Sequence, residues 1–204
     1  YKAIVLNKGS KLVLPVATIP SIKTSEIKKF IDKSIEIGFS IFKIHPRFSN
    51  HNLYQLEEIL DYLVPKAKLV QVCTYQNKEL ESPFYPPHKF KLLELLAYKS
   101  NLYSKHIMLM HSFDVSIMEA HSIVRHNQYL ILDLSMTILK FSGSSIDNDI
   151  QYLFQNFDKR ICIGSDYPEW NYRQLEKKLI LLSKDIPEYK LKNIYYNNLQ
   201  TILY

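Results

Sequence analysis

The chain has 204 residues, 47% of them hydrophobic, which is enough to bury the core of one domain spanning residues 1–204. Lys and Arg (26) outnumber Asp and Glu (20), but the basic residues are spread over many predicted helices and form no compact run, which argues against nucleic acid as a partner. No apolar segment approaches the roughly 18 residues of a membrane span, so no membrane association is predicted.

Apolar runs with strand character alternate with helical stripes along the chain. Six runs predict β-strands, at residues 11–18, 39–45, 68–74, 106–112 and 129–135 and from residue 160 onward. Apolar residues at helical spacing predict helices near residues 24–38, 53–63, 92–97, 116–125, 150–157, 175–182 and 191–203. The first helix is expected to be capped by Thr24 or Ser25 and to end at Gly38.

This alternation, at a spacing of roughly thirty residues, is typical of a parallel sheet, in either a (β/α) barrel or an open doubly wound sheet. Dinucleotide-binding sheets of the second kind require a Gly-rich loop after a strand, and the chain has only four glycines. The barrel is therefore favoured, and the predicted fold class is α/β, a (β/α)8 TIM-type barrel.

A closed barrel of this type needs more units than the chain displays. Two further β/α units of roughly thirty residues each would bring the chain near the usual ~250 residues, so we expect one or two N-terminal units to be missing from it. The chain starts at Tyr1 without Met and without a signal-peptide pattern, which fits that expectation. Residues 1–6 suit one further short strand, yet residues 8–10 are too few for a crossover helix.

The segment 160–170 contains the first candidate for chemistry. A short apolar run ends at Gly164, Asp166 follows, and Pro168 prevents the strand from continuing. A carboxylate at the carboxyl end of a buried parallel strand lies where barrels build their active sites. An Asp that forms the turn and caps the next helix fits the same pattern, so both interpretations stay open.

Polar side chains also follow the other predicted strands. They are His45, Cys73 with Thr74, His111, and Asp133 with Ser135. In a barrel they would meet Asp166 at one mouth, and two histidines with an aspartate suit a divalent metal that activates water. The alternatives are hydrogen-bonded structural histidines and, for Cys73, a small buried hydrophobe.

Five segments, in this order and spacing, carry a resemblance to a known family. They are Ile37-Gly38 leading into Phe42-Lys-Ile-His-Pro46, Ile107-Met-Leu-Met-His-Ser112, Tyr129-Leu-Ile-Leu-Asp-Leu-Ser135, Arg160-Ile-Cys-Ile-Gly-Ser-Asp-Tyr-Pro168, and Asn193-Ile-Tyr-Tyr-Asn197. Over nearly its whole length the chain resembles the amidohydrolase superfamily, in particular its amidohydrolase-2 branch of metal-dependent hydrolases and decarboxylases. The resemblance implies a (β/α)8 barrel with a divalent metal at the carboxyl mouth, expected to be Zn with Mn as the alternative.

The resemblance also implies roles for individual residues. Asp166 resembles the aspartate of the last strand, which binds metal or takes a proton from the attacking water. His111 resembles the histidine of the sixth strand, a metal ligand or a polariser of the substrate. The expected substrate contacts are Lys43 and His45 on what would be the fourth strand, together with Ser135 and Tyr167.

Two departures from the family pattern bear on the metal. The His-x-His pair of the family's first strand occurs nowhere in this chain, so the metal is expected to be absent if those ligands are truly missing. The fifth-strand histidine would fall near Cys73, and since a thiolate can ligate zinc, Cys73 is the third candidate metal ligand after Asp166 and His111.

Three kinds of function follow. The leading hypothesis is an enzyme: a metal-dependent hydrolase that attacks a C–N or C–O bond of a small anionic amide, cyclic amide or lactone, with a decarboxylase as a close variant. The second is a degenerate barrel that binds a small molecule or a partner protein without catalysis. The third, nucleic-acid binding, is least favoured because the fifteen tyrosines show no platform spacing and many lie on otherwise apolar helix faces.

The remaining expectations concern compartment and partners. Cys73 and Cys162 fit neither a metal finger nor a disulfide framework, which is typical of a reducing compartment and predicts a cytoplasmic location. A small-molecule substrate is the expected partner. Its identity stays open, and so does the oligomeric state, a homo-oligomer included.

Overall fold

The computed structural model describes residues 14–49, 51–75 and 89–204. Six strands lie in one sheet, in which their order follows the chain. They are β1 (Val16–Thr18), β2 (Ile41–Ile44), β3 (Leu69–Cys73), β4 (His106–Met110), β5 (Leu130–Asp133) and β6 (Ile161–Cys162). The expectations for residues 1–10 and for the start of the first strand at 11–13 fall outside the described residues.

Helices alternate with these strands, as the sequence predicts. They are α1 (Thr24–Glu36), α2 (Pro46–Ser49), α3 (Leu53–Leu63), α4 (Lys89–Tyr103), α5 (Ile117–Val124), α6 (Thr137–Lys140), α7 (Ile146–Asn156), α8 (Tyr172–Leu182), α9 (Glu188–Lys192) and α10 (Asn198–Leu203). A π-helical turn, Asn193–Asn197, joins the last two helices, so the predicted closing helix is one nearly continuous helical segment. Within the described ranges, no helix is both long and apolar enough to cross a membrane.

The predicted cap of the first helix differs from the observed one. Thr24 is already the first residue of α1, Lys23 occupies the cap position, and no side chain bonds the exposed backbone N–H groups there. The predicted stop is present, since Gly38 has φ 101°, a conformation that suits a residue without Cβ. A capping box does begin α3, where Asn52 and Gln55 each accept the other's backbone N–H.

The described residues form two compact units, the first from residues 14–49, 51–73 and 89–107 and the second from 74–75 and 108–204. The prediction of a single domain stays a prediction. In the first unit β1 pairs with β2 and β2 with β3, all parallel. The predicted apolar stripes of α1 and α3 are buried at Ile27, Ile31, Leu56 and Leu60, and a fully buried side chain of this size contributes about 1.5–3 kcal/mol.

A buried cation connects α3 and α4 in the first unit. The Lys99 side chain is 4% exposed, and its ammonium lies 2.9 Å from Glu57 and 2.7 Å from Asp61. Tyr103 donates a further hydrogen bond to Asp61 at 2.8 Å. The ammonium is thus fully paired, which a buried charge requires.

In the second unit β5 pairs with β6 in parallel, with Asp133 opposite Cys162. Arg160, just before β6, caps the C-terminus of α5. Its guanidinium donates hydrogen bonds to the backbone carbonyls of Val124, Arg125 and Asn127. The last carbonyls of a helix have no partner within it, so a guanidinium fork satisfies them well.

Asparagines of the closing segment attach it to β6. Asn198 donates to the carbonyls of Asp158 and Ile161, both at 2.7 Å, and Asn193 donates to the Asp158 carboxylate at 2.6 Å. The Asn193–Asn197 segment that carried part of the family resemblance therefore holds the last helices against the end of the sheet.

Candidate functional site

The carboxyl ends of β4, β5 and β6 share an unusual backbone conformation. Positive φ angles occur at His111 (65°), Ser112 (47°), Phe113 (62°) and Asp114 (63°) after β4, and also at Met136 (64°) after β5 and Asp166 (59°) after β6. None of these residues is glycine, and each such conformation costs on the order of 1 kcal/mol or more. Strain of this kind persists only where surrounding contacts impose it, and it concentrates at functional sites.

Hydroxyl groups impose the turn after β4. The Thr74 hydroxyl accepts a hydrogen bond from the Phe113 backbone N–H at 2.8 Å and donates one to the Met110 carbonyl at 2.6 Å. It therefore bridges the start and the middle of the turn. Thr137 donates to the His111 carbonyl at 2.7 Å. These threonines are far from the turn in sequence, and together they bond three backbone groups at the turn: the Phe113 N–H and the Met110 and His111 carbonyls.

The His111 imidazole is buried and oriented by Ser135. Its Nδ1 lies 2.9 Å from the Ser135 carbonyl oxygen and 3.3 Å from the Ser135 hydroxyl. A carbonyl oxygen only accepts hydrogen bonds, so Nδ1 carries the proton, and in the neutral ring the lone pair is on Nε2. A backbone carbonyl on one ring nitrogen is the usual device that orients a histidine whose other nitrogen binds metal or substrate.

Ser135 in turn is held by Asp133. The Ser135 hydroxyl donates to Asp133 Oδ2, and the Ser135 N–H lies 3.3 Å from Oδ1. Burial raises the pKa of the Asp133 carboxyl, while the bond from Ser135 and the proximity of His111 act in the opposite direction. Burial, and then the nearby Asp133 charge, raise the pKa of the Cys162 thiol, so Cys162 stays a thiol.

Gly164 allows the end of β6 to approach Ser135. A Cβ at this position would lie 3.2 Å from Ser135 Cβ, closer than an ordinary carbon–carbon contact. The Leu134 N–H donates to the Cys162 carbonyl at 2.9 Å and holds the two strand ends together. The glycine in the segment 160–170 therefore belongs to the packing of the site.

A second group of side chains, Tyr75, Asp114 and Lys140, lies near His111. The Tyr75 ring meets the His111 ring edge to face, with centroids 6.2 Å apart, and the Lys140 Nζ lies 4.2 Å from the Tyr75 centroid while donating to its hydroxyl. Burial raises the pKa of Asp114, and the proximity of Lys140 and of His111 opposes that rise. Asp114 Oδ1 is buried with no hydrogen-bond partner among the described residues.

Tyr75, Asp114 and Lys140 are not among the site residues predicted from the sequence. Tyr75 comes directly after the predicted strand 68–74, and Asp114 lies two residues past the predicted strand 106–112, so a position just beyond a strand end is the signal that indicates both. Lys140 has no such signal. It comes from α6 and contacts Tyr75 across 65 residues of chain.

Asp166 and Tyr167 lie where the predicted strand ends, after β6. Asp166 is half-buried and its carbonyl accepts the Glu169 N–H at 3.1 Å, so it forms the turn of the alternative interpretation. The capping role in that interpretation was wrong, because Asn171 caps α8 and accepts the Gln174 N–H. Tyr167 is 80% exposed and precedes Pro168 through a cis peptide bond. The roles of Asp166 as base or ligand, and of Tyr167 and Ser135 as substrate contacts, stay predictions.

Lys43, His45 and Cys73 belong to the first unit. Lys43 is a half-buried residue of β2 in register with Thr18. The His45 ring packs on Phe48 with centroids 4.2 Å apart, and its Nδ1 is buried with no hydrogen-bond partner in the described part of the chain. Cys73 is a buried thiol at the end of β3. Their convergence with His111 and Asp166 stays a prediction.

A metal requires several ligands in one cluster. Residues 14–49, 51–75 and 89–204 contain no group of three or more His, Cys, Asp or Glu side chains arranged to hold a metal ion. The orientation of His111 by a backbone carbonyl nevertheless fits a ligand histidine. The sequence-predicted ligand set Asp166, His111 and Cys73 therefore stays a hypothesis to be tested by metal analysis.

Comparisons with known proteins bear on the fold. No family model and no curated protein matches the chain. Its structure is similar to the crystal structure of an uncharacterized TIM-barrel protein, Bb4693, from Bordetella bronchiseptica, with a TM-score of 0.73 and 16% sequence identity, over 99% of this chain and 70% of that one. Together with the six-stranded sheet and its alternating helices, this likeness confirms the predicted fold: the protein has an α/β fold of the TIM type.

Proposed function

We propose that the protein is a metal-dependent hydrolase of the amidohydrolase type, acting on a C–N or C–O bond of a small anionic substrate. The observation that supports this most directly is the orientation of His111. Its Nδ1 proton is held by the Ser135 carbonyl, and His111 itself lies in the strained turn after β4, so Nε2 carries the basic lone pair that a ligand or a proton acceptor needs.

The strain around His111 supports a functional role over a purely structural one. A structural histidine can occupy a relaxed turn, whereas here four consecutive non-glycine residues adopt positive φ and are held by hydroxyls from distant positions. TIM-type folds build their sites at the carboxyl ends of strands, which is where this strain lies. His111 is proposed to bind the metal or to polarise the substrate carbonyl.

Asp166 is proposed as the base that takes a proton from the attacking water. It is half-buried four residues after β6 and, like His111 after β4, has a positive φ, here 59°. A divalent metal, Zn or Mn, would lower the pKa of the attacking water when bound. His111 and Asp166 are its proposed ligands, with Cys73 as a third.

The proposed substrate is an amide, cyclic amide or lactone with an anionic group. Its contacts are proposed to include Lys43, His45 and Tyr167, which is exposed in the turn after β6. A decarboxylase on the same scaffold and a barrel that binds a ligand without catalysis are the two alternatives, and metal analysis combined with activity assays separates them.

The test is the metal content per chain of protein purified without chelator, for wild type, His111→Ala and Asp166→Asn. His126→Ala is the matched control, because His126 is exposed and its ring bonds only the Arg125 side chain among the described contacts. We expect about one Zn or Mn per chain in wild type and control and a loss in both site variants. The metal-loaded protein is then assayed against amides, lactams and lactones.

Each other outcome selects an alternative. Metal retained equally in both site variants would remove His111 and Asp166 as ligands. Release of CO2 from carboxylated substrates, without hydrolysis, would select the decarboxylase. A folded protein with neither metal nor hydrolysis would overturn the hydrolase and leave the non-catalytic barrel, for which ligand-binding screens come first.

A further inference from the structure

One carboxylate oxygen of Asp114 has no hydrogen-bond partner in the part of the chain that the structure describes. This atom, Oδ1, is buried and accepts no hydrogen bond from the described residues, although the neighbouring Val115 N–H donates a hydrogen bond to the carboxylate. Buried acceptors are nearly always bonded, so an acceptor without a partner requires an explanation, and a ligand that donates to it is one. The backbone here has φ 63° and ψ −127°, outside the regions that an L-residue adopts without strain.

Two side chains near Asp114, those of Lys140 and His111, indicate what kind of ligand would bind there. Lys140 and His111 lie near enough to Asp114 to oppose the effect of burial on its pKa. Lys140 is exposed, and its ammonium is held over the Tyr75 ring and bonded to the Tyr75 hydroxyl. An ammonium held in this way is pre-organised to bind an anionic group beside the His111 ring.

We propose that Asp114 and Lys140 form a recognition subsite beside His111, in which Asp114 Oδ1 accepts an N–H of the substrate and Lys140 binds its carboxylate. The subsite selects anionic amides and lactams over the corresponding esters and lactones. This inference rests on the proposed hydrolase. It distinguishes the two kinds of bond, C–N and C–O, that the hydrolase is proposed to cleave. A lactone has an oxygen where a lactam has its N–H, so it would leave Asp114 Oδ1 unpaired, and sites built for a donor discriminate strongly against such analogues.

The test uses a matched pair of probes, 5-oxopyrrolidine-2-carboxylate and 5-oxotetrahydrofuran-2-carboxylate, which differ only by N–H in place of ring oxygen. Binding of each is measured by calorimetry and by ligand-observed NMR on wild-type protein, which requires no turnover. We expect the lactam to bind at least about tenfold more tightly than the lactone.

Three variants assign the preference to residues. Asp114→Gly suits the positive φ and removes the carboxylate, so the lactam preference is expected to vanish while the turn is kept. Asp114→Asn keeps a neutral acceptor and is expected to retain a reduced preference. Lys140→Met is expected to weaken both probes by about tenfold or more and to leave their ratio unchanged, with Lys177→Met, an exposed lysine of α8, as control. Circular dichroism verifies folding in each case.

The outcomes separate this inference from the proposed function. Equal affinity for the two probes, a preference that survives Asp114→Gly in folded protein, or no binding of either probe at millimolar concentration would overturn the subsite. A protein that hydrolyses lactam and lactone equally would keep the hydrolase and refute the subsite. A lactam preference that depends on Asp114, without hydrolysis of any substrate, would keep the subsite and refute the hydrolase.

Discussion

Replacing Gly164 by alanine tests whether close packing between the ends of β5 and β6 holds the candidate site. The added Cβ would lie 3.2 Å from Ser135 Cβ, against an ordinary carbon–carbon contact of about 3.5–4.0 Å, so one strand end must shift by a few tenths of an ångström. Overpacking of this kind costs about 1–3 kcal/mol. For a chain of 204 residues that corresponds to a loss of roughly 2–12 °C in Tm.

The shift should also reach His111. Ser135 holds the imidazole through its carbonyl and is itself held by Asp133, so a displaced Ser135 alters the hydrogen bond at Nδ1. The assay is thermal unfolding together with NMR of the histidine ring protons, in which the His111 signals are assigned by comparison with His111→Ala. We expect a lower Tm and displaced His111 signals in Gly164→Ala.

Gly143 provides the matched control. It has φ 86° and nothing within 4 Å of the position that an added methyl group would take, so Gly143→Ala carries a conformational cost of about 1–2 kcal/mol but no steric clash. Its Tm should fall while the His111 signals stay in place. In a double-mutant cycle, Ser135→Gly should relieve the Gly164→Ala clash, whereas Ser135→Ala, which keeps its Cβ, should not. Unchanged Tm and His111 signals in Gly164→Ala would refute the packing argument.

Two further predictions concern the strained turn and the buried cation. Thr74→Val should destabilise the protein by about 1–3 kcal/mol in urea unfolding, because the buried Phe113 N–H loses its acceptor. Thr74→Ser keeps the hydroxyl and should cost less stability. Equal stability of the two variants would contradict this role of Thr74. Burial lowers the pKa of Lys99, but its hydrogen bonds to Asp61 and Glu57 outweigh that effect and raise the pKa overall. The pairing thus stabilises the fold fully below the ordinary lysine pKa of about 10.4, and this contribution is lost as pH rises through the elevated folded value. The alkaline decline of Tm should therefore be smaller in Lys99→Met, and an identical decline would contradict the assignment.

The order and type of the elements could be predicted from the sequence because their signals are local. Strand runs and helical stripes follow from spacings of a few residues, and Gly38 ends the first helix through its own φ. The positions of His111 and Asp166 at strand ends followed from the same signals. The cap of α1 could not be predicted in this way, since Thr24 and its neighbours offer adjacent candidates and only the backbone path selected Lys23.

The surroundings of the site were decided by contacts between distant parts of the chain. The segment His111–Asp114 contains no glycine, so its local sequence does not indicate a left-handed turn; the turn exists because hydroxyls of Thr74 and Thr137 bond its backbone groups. The contact of Lys140 with Tyr75 likewise joins residues far apart in sequence.

The sequence by itself determined the α/β alternation, the parallel TIM-type fold and the strand ends at which polar side chains gather, because periodicity and turn residues act over short distances. Only the tertiary structure decided which of those side chains are oriented, which are strained, and which have an oxygen without a hydrogen-bond partner among the described residues. Those properties depend on which groups meet across the fold, and the pairings of His111 with Ser135, of Ser135 with Gly164 and of Lys140 with Tyr75 have no local signature.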